Sequence, residues 1–185
     1  MEEPISWEAL KQLFQETDRR FKETERRFKE TDEQFKATDK RIQQVFDLFQ
    51  SQWGKLIESL VEGDLIRLLR ERGMDVHETS QRRKGNHDGQ NFEYDIIAHN
   101  GNEIVIVEVK TTLRVKSVQE FVQKLQKARE WLSEYKNYKV YGAVAFLRAE
   151  ENSDTYAEKE RLFVIKATGN SSSIINNENF VPKIF

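Results

Sequence analysis

The sequence predicts a mixed α/β domain carried behind a long coiled-coil helix. Three observations lead there. A seven-residue repeat fills the N-terminal third. Two apolar runs flank Asn100-Gly101 near the middle. Helical and strand-like patterns then alternate to the C-terminus.

The repeat comes first. In "FQETDRRFKETERRFKETDEQFKATDKRIQQVFDLF", Phe14, Phe21, Phe28, Phe35, Ile42 and Phe49 recur every seven residues. Thr17, Thr24, Thr31, Thr38 and Val45 follow three positions later, and Trp7 and Leu10 extend the phase backwards. A strict heptad implies a left-handed coiled coil with Phe at a and Thr at d. Without Pro or Gly from 5 to 53, the helix would run roughly 70 Å from Trp7 to Trp53 at about 1.5 Å per residue. Asp18, Glu25, Asp32 and Asp39 take position e, and Arg20, Arg27, Gln34 and Arg41 take g. In a parallel pair Arg20 meets Glu25 of the second copy and Arg27 meets Asp32; an antiparallel pair sets like charges together. The pattern therefore predicts a parallel homo-oligomer through residues 7–52. It leaves the number of strands open, and a long solvated helix packed on its own domain is the plainer alternative.

Gly54 is the first glycine and is taken as the boundary between a coiled coil over 1–53 and a domain over 54–185. "KLIESLVEGDLIRLLRERG" has the amphipathic pattern of a helix ending at Gly73. "MDVHETS" is expected to be a short strand and "QRRKGNHDGQN" a polar loop. "FEYDIIAHNGNEIVIVEVKTT" has the form of a hairpin turning at Asn100-Gly101. Ser117 and Glu120 are spaced as a capping box for the helix "VQEFVQKLQKAREWLSEY". "KVYGAVAFLRA" follows as a buried strand, "TYAEKERL" as a short helix and "LFVIKAT" as a last strand, while "ATGNSSSIINNENF" is left as a closing loop.

Composition narrows the function classes. Cysteine is absent, which excludes disulfides and thiolate metal sites and fits a reducing cytoplasm. No run of 18 apolar residues exists, and "MEEPISWEAL" lacks the form of a signal peptide, so no membrane is expected. Net charge is −2, so nucleic-acid binding would need a local basic patch.

The hairpin raises the chemical question. Its second strand ends with Glu108 and Lys110, two residues apart and therefore on one face. A two-residue turn at Asn100-Gly101 sets Asp95 opposite Ile106 and Glu93 opposite Glu108, leaving Asp95 and Glu108 as diagonal neighbours about 7–8 Å apart at the backbone. Carboxylates this close repel unless a cation lies between them, and hard oxygen donors suit Mg²⁺. Lys110 could orient or deprotonate a water there, or neutralise developing charge. On the preceding helix Glu62 borders the apolar stripe, whereas Glu58 is expected to be solvated.

These residues resemble the PD-(D/E)XK, or restriction-endonuclease-like, nuclease superfamily. The matching pieces are a helix with Glu62, then Asp95, and after a twelve-residue gap the tripeptide Glu108-Val109-Lys110 ending an apolar strand. Tyr94 stands where the name-giving motif has Pro. The segments "WGKLIESLVEGDLIRLL", "EVKTTL" and "YGAVAFLRA" are also similar to those of an uncharacterised bacterial family, common in cyanobacteria, that joins a coiled coil to such a domain. The resemblance spans about residues 54–148 and implies an αβββαβ core with metal-dependent phosphodiester hydrolysis. It implies that Asp95, Glu108, the Val109 carbonyl and Glu62 hold Mg²⁺ (or Mn²⁺), with Lys110 handling the nucleophile.

Plainer readings stand beside these. Glu108 and Lys110 would make a salt bridge at a strand end without any metal. Arg82, Arg83 and Lys84, with Arg114 and Lys116, would contact phosphates of a nucleic acid, DNA being expected, or would be ordinary solvated side chains. His77, His87 and His99 have no ligand spacing, and Trp53 and Trp131 are expected to pack. The rival to an endonuclease is a non-catalytic coiled-coil protein that binds nucleic acid or protein through an inactive nuclease fold.

Overall fold

The computed structural model describes residues 6–185, so the first five residues of the expected coiled-coil segment lie outside it. It contains two compact units, Met1–Gln50 and Ser51–Phe185. One helix, α1 (Trp7–Glu71), contributes to both. The helix continues through Gly54. A glycine inside a helix costs about 1 kcal/mol, and the next turns offset this by burying Ile57, Val61 and Leu65. The helix stops where the sequence places the stop. Gly73 takes φ +81, its N–H bonds the Arg70 carbonyl at 2.9 Å and the Met74 N–H bonds that of Leu69 at 3.0 Å, a Schellman ending.

In the N-terminal unit the apolar stripe faces solvent: Phe14, Phe21, Phe28 and Phe35 are 66–74% exposed. The threonines on the same stripe turn their hydroxyls inward. Thr17, Thr24, Thr31 and Thr38 each donate to the carbonyl four residues back at 2.8 Å. Arg20 pairs with Glu16 at 2.6 Å and Arg27 with Glu23 at 2.7 Å within the chain.

The second unit is built on a six-stranded sheet in sequence order. Strands β1 (Glu78–His87), β2 (Gln90–Asn100) and β3 (Glu103–Leu113) form an antiparallel meander. Helix α2 (Val115–Gln126), the short α3 (Ala128–Trp131) and a 3-10 turn (Ser133–Tyr135) lead to β4 (Lys139–Ala149), parallel to β3. Helix α4 (Ser153–Lys159) leads to β5 (Phe163–Ala167), parallel to β4, and β6 (Ser172–Ile174) closes the edge antiparallel. The αβββαβ order is thus present, in a mixed sheet behind a long helix. Helices cover both faces. Ile57, Val61, Leu65 and Leu69 of α1 pack with Ile96, Val105, Val107 and Ala145 on one side. Phe121 and Leu125 of α2 pack with Ile97, Ile104, Ile106 and Val144 on the other. Burial on both faces is why "IVIV" is apolar throughout.

Four local expectations are corrected. "QRRKGNHDGQN" is no loop: it forms most of β1 and the start of β2, joined by a turn with Asp88 at φ +48 and Gly89 at φ +79, the backbone that Asp-Gly favours in a two-residue hairpin. The β2–β3 turn holds Gly101 and Asn102, with Asn100 facing Glu103. Gly101 takes φ +50, as the first central position of such a turn demands. The turn moves one residue and the register two, so every side chain keeps its face but changes its neighbour. Ser117 caps nothing: α2 starts at Val115 with Arg114 at the N-cap and no side-chain cap bond. The expected single helix over "VQEFVQKLQKAREWLSEY" breaks into α2, α3 and the 3-10 turn.

Candidate metal centre

The centre lies where β2 leaves β3. Their ladder ends at Ile96 opposite Val107. Just beyond, the Val109 N–H donates to Asp95 Oδ2 at 2.7 Å, so a carboxylate replaces the missing backbone acceptor. The β1–β2 ladder is interrupted at the same level. Gln81 faces Ile96 and Arg83 faces Tyr94, and Arg82 between them takes φ +50, an unfavourable backbone for arginine of the sort that collects at functional sites.

Glu108 is the one charged side chain buried among the described residues, at 7% exposure. A buried carboxylate must be paired, and here it is paired twice. Lys110 Nζ lies 2.7 Å from Oε1 and Lys124 Nζ 2.7 Å from Oε2. Lys124 comes from the last turn of α2. Tyr94, fully buried, donates its hydroxyl to the Lys124 carbonyl at 3.1 Å and sets its ring 5.7 Å from the Lys124 ammonium.

Electrostatics follow. Burial, and then the Glu108 charge, push the Asp95 carboxyl up to about 6 against the opposing Val109 N–H; Lys110 lowers it, and Glu58 adds to the rise. Burial alone would lower the Lys110 ammonium, but the charge and hydrogen bond of Glu108, with Asp95 behind, carry it upward overall. Glu108 thus favours the charged form of Lys110, which suits it to neutralising charge or orienting a ligand.

Both α1 carboxylates meet side chains of β1. Glu58, expected to be solvated, is largely covered, with its side chain 18% exposed, and pairs with Arg82 at 2.8 Å. Its charge reaches Asp95. Glu62, one turn on, accepts from Thr79 at 2.9 Å and from Gln81. The structure thus gathers Asp95, Glu108, Val109 and Lys110, adds Lys124 and Glu58, and engages Glu62 with β1. Glu93, expected opposite Glu108, pairs instead with Lys84 at 2.9 Å.

The donor set fits a hard divalent cation. Asp95 and Glu108 offer carboxylate oxygens of the type Mg²⁺ and Mn²⁺ take, and burial, with the Glu108 charge second to it, raises the Asp95 carboxyl. Every expected phosphate contact already has a carboxylate partner. Arg82 has Glu58, Arg83 has Glu134, Arg114 has Glu150 at 3.0 Å and Lys116 has Glu120 at 3.8 Å. At the β1–β2 hairpin end His87 lies 3.7 Å from Asp88 and 3.5 Å from Glu130. Their ligand atoms fall within 4.8 Å of one another, a grouping that sequence spacing did not suggest. No described helix is long and apolar enough to cross a membrane.

Lys124 was missed in the sequence, although a signal existed. It sits three residues after Phe121 and one before Leu125, both buried, so it flanks the core-facing stripe of its helix.

Fold and centre together define an α/β protein with a buried, internally paired carboxylate–lysine cluster at a strand junction. The chain belongs to the family described as "Domain of unknown function (DUF8196)", whose profile matches residues 66–174. Among solved structures it is similar to a protein of unknown function, AF1548, at 18% identity and TM-score 0.39, over 54% of this chain and 53% of that one. It is similar to a repair endonuclease from Pyrococcus abyssi at 16% identity and TM-score 0.37, over 60% and 46%. It is also similar to EndoMS in its dsDNA2 complex at 16% identity and TM-score 0.36, over 63% and 46%. The chain spans about half the length of these structures. No curated protein matches it.

Proposed function

We propose that this protein hydrolyses nucleic-acid phosphodiesters, DNA above all, with a divalent cation. We further propose that it acts in a reducing cytoplasm as a parallel homo-oligomer joined through residues 7–52. The observation that carries the reading is the meeting of Asp95, Glu108 and Lys110 at one strand junction, with Asp95 locked onto the backbone of the residue after Glu108.

Asp95 and Glu108 would hold Mg²⁺ or Mn²⁺, with the Val109 carbonyl and a carboxylate of α1, Glu58 or Glu62, completing the set. The bound cation would supply a Lewis acid for a phosphoryl oxygen and an acidified water. The chain's own residues do the rest. The Val109 N–H fixes the Asp95 carboxylate. Lys110 neutralises charge developing on the phosphate. Arg82, Arg83, Lys84, Arg114 and Lys116 exchange their carboxylate partners for phosphates, which makes binding salt-dependent.

One observation favours the rival, a non-catalytic nucleic-acid- or protein-binding module: both Glu108 oxygens already hold ammonium groups. Cleavage of plasmid, linear and single-stranded DNA in Mg²⁺ or Mn²⁺ separates the two. The enzyme reading expects metal-dependent cutting that Asp95→Ala and Lys110→Ala both abolish. Salt-sensitive binding without cutting, and without heat of metal binding, establishes the rival.

A further inference from the structure

One buried carboxylate needs one ammonium, yet Glu108 has two. Its paired charges balance, Asp95, Glu108 and Glu58 against Lys110, Lys124 and Arg82, and Glu120 beyond them is itself paired with Lys116. A divalent cation held by Asp95 and Glu108 upsets this in two ways. It needs a Glu108 oxygen that a lysine now occupies, and it leaves the cluster with two positive charges in excess. A phosphodiester passing through a five-coordinate phosphorus gains negative charge, so that excess is the complement of the reacting group.

The two lysines are not equally free to leave. Lys110 stands on the same strand as Glu108, two residues along, and also feels the Asp95 charge. Lys124 comes from another element and, like Lys110, has Glu108 as its one ion-pair partner among the described residues. Its backbone is fixed by Tyr94, while its ammonium rides on a flexible four-carbon stem.

Resting on the metal-dependent reading above, we propose that Lys124 is a placeholder. It holds Glu108 in its buried position in the metal-free protein, and when a divalent cation takes that oxygen, its ammonium passes to a substrate phosphate. Lys124 is then a phosphate-binding residue of the loaded protein that the Glu108-Val109-Lys110 tripeptide does not reveal.

The test uses the full chain with Lys124→Gln and Lys124→Arg, and Lys124→Met should the first variant melt early. Calorimetry with Mn²⁺ alone reads metal affinity. Anisotropy of a duplex DNA oligonucleotide in Ca²⁺, across a salt series, reads phosphate contact. Removing the placeholder is expected to tighten Mn²⁺ binding by about fivefold to tenfold. The same change is expected to weaken duplex binding and to lower its logarithmic salt slope by about 1, for one lost phosphate contact. Lys124→Arg should restore the slope. Tighter Mn²⁺ binding with unchanged duplex affinity and slope would overturn the proposal, leaving Lys124 a structural counter-charge to Glu108. Weaker duplex binding with Mn²⁺ affinity no tighter than wild type would overturn it too. A wild type that binds no Mn²⁺ would remove the metal-dependent reading itself, and the placeholder with it.

Discussion

Burial and the Glu108 charge act against the Asp95 carboxylate, and the effect can be read in stability. The Asp95 carboxyl is raised from 3.8 to about 6, so the folded state holds its proton more tightly than the unfolded chain. That contribution to stability is complete below pH 3.8 and is lost as pH rises through about 6. Asp95→Asn keeps an acceptor for the Val109 N–H and removes the charge. In chelator at pH 8 it should be more stable than wild type by on the order of 2 kcal/mol after solvent screening, and the gap should close by pH 4; thermal melts across pH check this. The α1 carboxylates offer a second contrast. Glu58→Gln should weaken Mn²⁺ binding in calorimetry, because the Glu58 charge reaches Asp95. Glu62→Gln should cost about 1 kcal/mol of stability in urea, because Glu62 accepts from Thr79 and Gln81.

At the scale of elements, the cluster depends on how closely α2 lies on the sheet. Gly142 of β4 makes that approach possible: a Cβ there would overlap Leu125 of α2 and Leu162 after α4. Gly142→Ala should therefore destabilise the protein by about 1–3 kcal/mol, read by urea denaturation. The hairpin shows what an element can reveal in sequence. Alternation in β2 and β3 fixed which residues share a face. The register depended on whether Asn100 or Gly101 opens the turn, a difference of one residue that pattern alone does not resolve. Beyond Glu78–Ser80, which fall in the expected strand "MDVHETS", β1 escaped notice because it is an edge strand of mostly exposed polar residues, and polar composition without apolar alternation looks like a loop.

At the scale of the whole molecule, the exposed phenylalanine stripe is the surface through which the proposed homo-oligomer would form. The inward-bonded threonine hydroxyls leave their methyl groups for a neighbour, so the d layer is more apolar than its composition suggests. The i,i+4 pairs of Arg20 and Arg27 are exposed and worth only about 0.3–0.5 kcal/mol each, little obstacle to exchange with a second copy. Phe28→Asp should convert the oligomer to monomer in sedimentation. Thr24→Val with Thr31→Val should keep the assembly and raise its melting temperature, since Val offers the same shape without a hydroxyl.

The sequence by itself determined the heptad and its length, the faces of the hairpin, the order of the core elements and the Asp95, Glu108 and Lys110 set. Each follows from a periodicity or a spacing within one or two elements. Tertiary structure decided what required separate elements to meet. It covered Glu58 and paired it with Arg82, brought Lys124 from α2 onto Glu108, and put a carboxylate partner on each basic residue expected to meet phosphate. Those outcomes depend on the distances between α1, the sheet and α2. Such distances are set by how buried side chains such as Ile57, Val61, Phe121 and Leu125 fill the space between layers, and no local pattern encodes that sum of packing contacts.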